Sequence, residues 1–177
     1  MNINLEQIVE KLGKISNDDI TNETIGWEIP ENRFSQAMML NGTVKRFKKI
    51  NSPDNLKILI IHSQVIFLGY VTFVFMQSDL IASKLASLKN SSKLFIFKQI
   101  FARPVKGKNI SDDNITGLHC LIRNSIGHGS FNFEDGGKVT FTDTVRNISI
   151  TVDTYNFINL CVQIERFYMQ ASVIERS

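Results

Sequence analysis

The sequence predicts an all-α fold: a helical bundle with one small β-hairpin between the last two helices. Apolar residues recur at helical spacing in several segments, which favours helices that bury one face. One Gly-rich turn separates two short alternating stretches, which is typical of a hairpin. With 177 residues, 43% of them hydrophobic and only 3 prolines, the chain has the composition of a globular protein and not of a disordered one.

The first half of the chain predicts helices separated by polar loops. We expect a helix over residues 5–14, a second over 31–50, and one long helix or two kinked helices over 56–88. An apolar segment follows at 94–101, and residues 102–111 are expected to form a loop. We take residues 1–54 as an N-terminal helical extension and residues 55–177 as the main domain.

The next helix is expected to begin at a cap among Ser111, Asp112 and Asp113 and to run to Gly127, with Gly129 as a further stop signal. Beyond it, residues 131–133 and 139–141 alternate around the turn and predict the hairpin. Asp153 then caps a last helix over 154–174, which places five apolar side chains on one face. These are Phe157, Leu160, Ile164, Phe167 and Ala171.

Positive charge is concentrated in the middle of the chain. Residues 41–111 hold twelve Lys or Arg and two acidic residues, and from Leu80 to Ser111 there are seven cations and no acid. Such a run forms either a solvated surface or a binding site for a polyanion. For the second interpretation, Arg103, Lys106 and Lys108 are the predicted nucleic-acid-binding residues.

Residues 58–78 carry no charge and are long enough to span a bilayer. Polar residues recur along one stripe of this segment, however, which favours a central helix of a soluble bundle over a membrane-inserted one. The N-terminus has acidic residues and no apolar run, so we expect no secretory signal and a cytoplasmic protein. Cys120 and Cys161 lack metal-ligand spacing and are expected to be buried thiols, without a disulfide or a zinc site.

The helix before the hairpin carries the chemically informative residues. Its apolar side chains (Leu118, Leu121, Ile122 and Ile126) share one face, which directs Thr116, His119 and Arg123 away from that face. Asn124 and His128 are four residues apart and lie together at the edge of the apolar face. A cation, an amide and an imidazole thus converge near a helix end. Alternatively, Arg123 pairs with a carboxylate and His128 only caps the helix.

The segment Ile122-Arg123-Asn124-Ser125-Ile126-Gly127-His128 resembles the Arg-Asn-x-x-x-His motif of the HEPN superfamily, which consists of small all-α domains. Many of these are metal-independent ribonucleases of toxin–antitoxin and antiphage systems. The resemblance implies that Arg123 and His128 are the catalytic pair and that Asn124 orients them. Ser130 stands where one variant of the motif has a modifiable tyrosine, so silencing by a partner nucleotidyltransferase is not expected.

The predicted activity is RNA cleavage by transesterification, in which the ribose 2′-OH attacks the adjacent phosphorus and the 5′-oxygen leaves, giving a 2′,3′-cyclic phosphate end. One His can move protons and one Arg can bind the phosphate, so no metal or cofactor is required. Asp79 and Gln64 are candidate helper residues from another helix. A cognate antitoxin protein is an expected partner. The alternative is a non-catalytic HEPN-like module that binds nucleic acid, a nucleotide or a partner protein.

We also expect a homodimer, because two imidazoles serve a transesterification better than one. A two-fold axis beside His128 brings both rings into one cleft. The last helix, with Phe157, Phe167 and Tyr168 on or near its apolar side, has enough aromatic surface to take part in the dimer contact.

Overall fold

A computed structural model describes residues 2–27, 74–75 and 78–172, the backbone alone at 78–80 and 172, and within these ranges the chain is a mixed α and β fold. The helices are α1 (Leu5–Gly13), α2 (Asn17–Glu23), α3 (Ser78–Ser87), α4 (Phe95–Phe101), α5 (Leu118–Gly127) and α6 (Thr154–Ser172). The strands are β1 (Phe131–Glu134), β2 (Lys138–Asp143) and β3 (Ile148–Asp153). The prediction of an all-α bundle with one hairpin is therefore wrong.

The three strands form one antiparallel sheet in the order β1-β2-β3. The predicted hairpin is confirmed by the pairing of Phe131 with Phe141 in β1 and β2, around a turn in which Gly136 and Gly137 adopt φ values of 75° and 71°. The third strand was not predicted. Its signal was the alternation of Ile148, Ile150 and Val152, in a segment to which the sequence analysis assigned no element.

The two N-terminal helices pack against the last helix. Their junction is held by Arg166 of α6, whose Nη2 donates hydrogen bonds to the carbonyl oxygens of Leu12 at 2.8 Å and Ile15 at 2.9 Å. The Ile3 N–H donates to the carbonyl of Thr151, which places the start of the chain beside β3. The predicted boundary between residues 54 and 55 lies outside the described residues and stays a prediction.

The core is built on aromatic rings from α4, α6 and β2. The ring centroids of Phe97 and Phe167 are 4.5 Å apart, and those of Phe141 and Phe157 are 5.0 Å apart. All five apolar residues predicted on one face of the last helix are buried, as expected. Phe157 and Phe167 are fully buried within this chain, so the prediction that they form a dimer surface is wrong.

Helix α5 begins at Leu118, later than predicted, because Gly117 before it adopts a left-handed φ of +87°. A Cβ at Gly117 would lie 2.7 Å from Cα and Cβ of Pro104, so only glycine permits this approach. The loop after α4 is thereby held against the start of α5.

The side chains predicted to cap α5 serve another purpose. Ser111 and Asn114 exchange backbone hydrogen bonds in a tight turn, at 2.9 and 3.1 Å. The Asp112 carboxylate accepts the Asn4 N–H at 2.7 Å and so ties the N-terminal segment to this turn. A long-range contact therefore replaced the local cap that the sequence pattern predicted.

The helix predicted at 5–14 is confirmed within one residue by α1, and the apolar segment expected at 94–101 forms helix α4. The helix predicted at 31–50 and most of that at 56–88 lie outside the described residues, although α3 accounts for residues 78–87. Within the described ranges, no helix combines the length and apolar character needed to cross a bilayer.

Candidate functional site: two basic clefts beside helix α5

The candidate site lies where α5 meets the loop after α4 and the turn between β2 and β3. Helix α5 ends in a Schellman motif: the Ser130 N–H donates to the Ser125 carbonyl at 2.7 Å, and the Gly129 N–H donates to Ile126 at 3.1 Å. Gly129 has a φ of +65°, which confirms its role as a stop. His128 is thus held at the helix C-cap and leads directly into β1.

One cleft, which we call the helix cleft, runs along α5 and has a volume of about 790 Å³. Arg123 is half-buried and lines it. Three further cations line the same cleft, and among its described lining residues there is no acidic side chain. The charged lining residues are Lys98, Arg103, Arg123 and Arg146.

A second cleft, the loop cleft, lies next to the first and has a volume of about 380 Å³. Residues 104–109 form one wall, and Val145, Arg146 and Ile148 form the other. Pro104 and Arg146 line both clefts, so the two are neighbours along one basic surface.

The predicted nucleic-acid-binding residues fall into this region. Arg103 lines the helix cleft, whereas Lys106 and Lys108 line the loop cleft, and all three are exposed. Their loop is held by the close approach of Pro104 to Gly117. The arrangement brings Arg103 and Arg123 to one cleft although they are 20 residues apart in the sequence. This juxtaposition provides a positive surface that suits the phosphates of a polyanion.

Asn124 contacts a carboxylate that the sequence analysis did not identify. Its Nδ2 donates to Oδ2 of Asp143 at 2.8 Å, and Nη1 of Arg146 lies 2.6 Å from the same oxygen. The backbone N–H groups of Val145 and Arg146 donate to the other oxygen, both at 3.1 Å. The α5 helix and the β2–β3 turn are thereby joined through one buried carboxylate.

The Asp143 side chain is only 1% exposed, and burial alone raises the pKa of a carboxyl group. Hydrogen bonds from Asn124 and Arg146 outweigh burial, so the pKa of Asp143 lies below its ordinary value. Asp143 is therefore ionised at neutral pH and holds Arg146 in place. Neither residue carried a sequence signal, because their partner Asn124 is some 20 positions away.

His128 is exposed and does not line either cleft. Its backbone N–H donates to the carbonyls of Asn124 and Ile126, so the backbone is fixed while the imidazole is accessible to solvent. The structure thus brings Arg123 and Arg103 to one cleft and Lys106 and Lys108 to the next. It leaves His128 at the adjacent helix end.

His119 departs from its prediction, because it is 3% exposed instead of pointing away from the core. Its Nε2 donates to the Phe75 carbonyl at 2.5 Å, and its ring stacks on Phe101 with centroids 4.7 Å apart. Cys161 is buried as predicted, whereas Cys120 is only half-buried and lines the helix cleft.

The predicted helpers are not placed by the structure: Gln64 and the side chain of Asp79 lie outside the described residues. Among the described residues, no three His, Cys, Asp or Glu side chains converge as a metal-binding group.

Comparison with known proteins adds no family assignment. No protein-family model matches this chain, and neither the curated proteins nor the solved structures contain a match.

Proposed function

We propose that this protein is a metal-independent RNA endonuclease of HEPN type that cleaves by transesterification. The observation that carries the proposal is the helix cleft, where Arg123 of the Arg-Asn-x-x-x-His segment shares the lining with Lys98, Arg103 and Arg146. Arg123 binds the scissile phosphate and the charge that develops on it. His128, at the end of the same helix, transfers the proton of the 2′-OH or of the leaving 5′-oxygen.

We propose further that the protein acts in the cytoplasm and that a cognate antitoxin protein is its partner. The proposal includes a homodimer with a two-fold axis beside His128, because a second imidazole supplies the other proton transfer. Light scattering at micromolar concentration tests the homodimer: a mass of about twice 20.1 kDa agrees with it, and a mass of one chain contradicts it.

The test of catalysis is cleavage of labelled RNA in excess EDTA by the wild type and three variants. His128→Asn keeps a polar side chain at the C-cap but cannot carry the proton, and we expect its rate to fall by a factor of about 10² to 10⁴. Arg123→Ala removes the phosphate ligand and should lower the rate about 10²- to 10³-fold. Lys14→Ala, at the exposed C-cap of α1, removes one charge outside both clefts and serves as the matched control.

Thermal unfolding must show that the variants remain folded. Cleavage by His128→Asn at the wild-type rate contradicts the proposal, as does cleavage that EDTA abolishes. The second candidate function, a non-catalytic module that binds nucleic acid, is favoured by the position of His128 outside both cleft linings. It predicts salt-dependent RNA binding by all of these proteins and cleavage by none.

A further inference from the structure

Two valines in the loop cleft are exposed to solvent without a structural reason. Among the described residues, three large hydrophobic side chains are exposed: Ile25 at 68%, Val105 at 48% and Val145 at 78%. The two valines come from different loops, and both line the loop cleft. The cleft therefore brings together apolar groups that the core does not use.

The same cleft is strongly basic. Lys106 and Lys108 follow Val105 within three residues, and Arg146 follows Val145 directly. A cleft that combines exposed apolar side chains with cations suits a ligand that has an apolar face and an anionic group. A nucleotide has both, because its base offers a flat face and its phosphate a charge.

Arg146 occupies the junction of the two clefts and is fixed there. Its Nη1 is bound to Asp143, whose other contacts are to Asn124 and to the turn backbone, so the guanidinium is anchored from one side. A guanidinium carries five N–H donors, and an anchored one still has donors for a phosphate. The Arg146 side chain is 41% exposed, which leaves it accessible.

We propose that the loop cleft is a nucleotide-binding subsite for an unpaired RNA strand, with Val105 and Val145 against the base and Arg146 on the phosphate that connects this nucleotide to the helix cleft. The inference rests on the proposed RNA-cleaving function and names its substrate class. Unpaired RNA is favoured over a duplex because stacked and paired bases offer no free face to the valines. Asn124 and Asp143 are then positioning residues that act through Arg146.

The test measures binding by fluorescence anisotropy in a His128→Asn background, so that the RNA is not cleaved. The probes are a labelled 12-nucleotide oligouridine and a 12-base-pair RNA duplex. We expect Val105→Thr/Val145→Thr to weaken oligouridine binding by a factor of about four for each valine. The salt slope and the duplex affinity should not change. Ile25→Thr, an exposed apolar residue outside both clefts, is the matched control and should bind like its parent.

Arg146→Ala tests the junction. It should lower the slope of log K against log salt by about 0.7 for the oligouridine, the value of one phosphate contact on a single strand. An unchanged slope overturns the role of Arg146. Unchanged oligouridine affinity in the valine double variant overturns the subsite, and an equal loss of duplex affinity overturns the preference for an unpaired strand.

Cys120 provides a readout that does not depend on cleavage. Burial raises the pKa of the Cys161 thiol well above its ordinary value, so alkylation of the folded protein reports on Cys120 in the helix cleft. Oligouridine should slow this alkylation severalfold, and less so after Arg146→Ala. Absence of protection overturns the proposal that the bound strand continues from the loop cleft into the helix cleft. If the wild type cleaves no RNA while protection and the valine effect persist, the proposed catalysis fails and the subsite stands.

Discussion

The number of cations in the two clefts predicts how steeply RNA binding depends on salt concentration. Six cations line the two clefts, and if each meets one phosphate, the slope of log K against log salt for single-stranded RNA is about −4. Neutralising Arg103, Lys106 and Lys108 together removes three of these contacts and should bring the slope to about −2. Raising the salt from about 50 to 200 mM then weakens RNA binding by the parent protein roughly 300-fold and RNA binding by the triple variant only roughly 20-fold.

The assay is RNA-binding anisotropy in the non-cleaving His128→Asn background over a salt series. A matched triple variant, in which Lys11, Lys14 and Lys89 are replaced by Ala, removes the same charge from exposed positions outside the clefts. Its slope of log K against log salt should stay near that of the parent, because this slope depends on the number of phosphate contacts and not on the net charge of the protein. Equal slopes in the cleft triple variant and the parent would refute the reasoning and leave the basic run a solvated surface.

Three further predictions concern the scaffold and are measured by urea unfolding. Gly117→Ala forces a methyl group to within 2.7 Å of Pro104 and should cost about 2 kcal/mol or more, whereas Gly127→Ala meets no atom within 4 Å and should be neutral or stabilising; equal effects would refute the close approach. Arg166→Ala loses two hydrogen bonds to the Leu12 and Ile15 carbonyls at the junction of α1 and α2 and should cost about 3 kcal/mol of unfolding free energy; a loss below about 1 kcal/mol would contradict the role of these bonds. The folded-state pKa of Asp143 is lower than its unfolded value, so its contribution is present above about pH 4 and is lost as pH falls further; in Asp143→Asn the stability should depend less on pH in that acid range, and an unchanged profile would contradict this.

Local patterns predicted the elements that depend on local physics. The apolar spacing of α6, the Asp153 cap that accepts the Tyr155 and Asn156 N–H groups, and the stop at Gly129 each involve neighbours in the chain. The start of α5 was mispredicted because the conformation of Gly117 depends on its close approach to Pro104, which is not a neighbour in the sequence. The third strand was missed although its alternation of Ile148, Ile150 and Val152 was visible. It runs directly into the Asp153 cap of α6, and the sequence analysis identified only the cap.

The candidate site also contains residues that the sequence predicted and residues that only the structure shows. Arg123, Asn124 and the cationic loop were predicted from a motif and a charge run, which are properties of sequence. Arg146 and Asp143 were not predicted, because their contact with Asn124 forms only when the β2–β3 turn packs against α5. His119 was placed on the wrong side because the helical projection does not include Phe75 and Phe101, which enclose its ring.

The most direct test of the central claim is the chemistry of the cut ends. RNA carrying a single 2′-deoxy substitution at the mapped cleavage site is incubated with the wild type in EDTA, beside the unmodified strand. Transesterification with His128 and Arg123 predicts a 2′,3′-cyclic phosphate on the unmodified strand and no cleavage at the 2′-deoxy position. Cleavage at that position, or products with 3′-hydroxyl and 5′-phosphate ends, would contradict it.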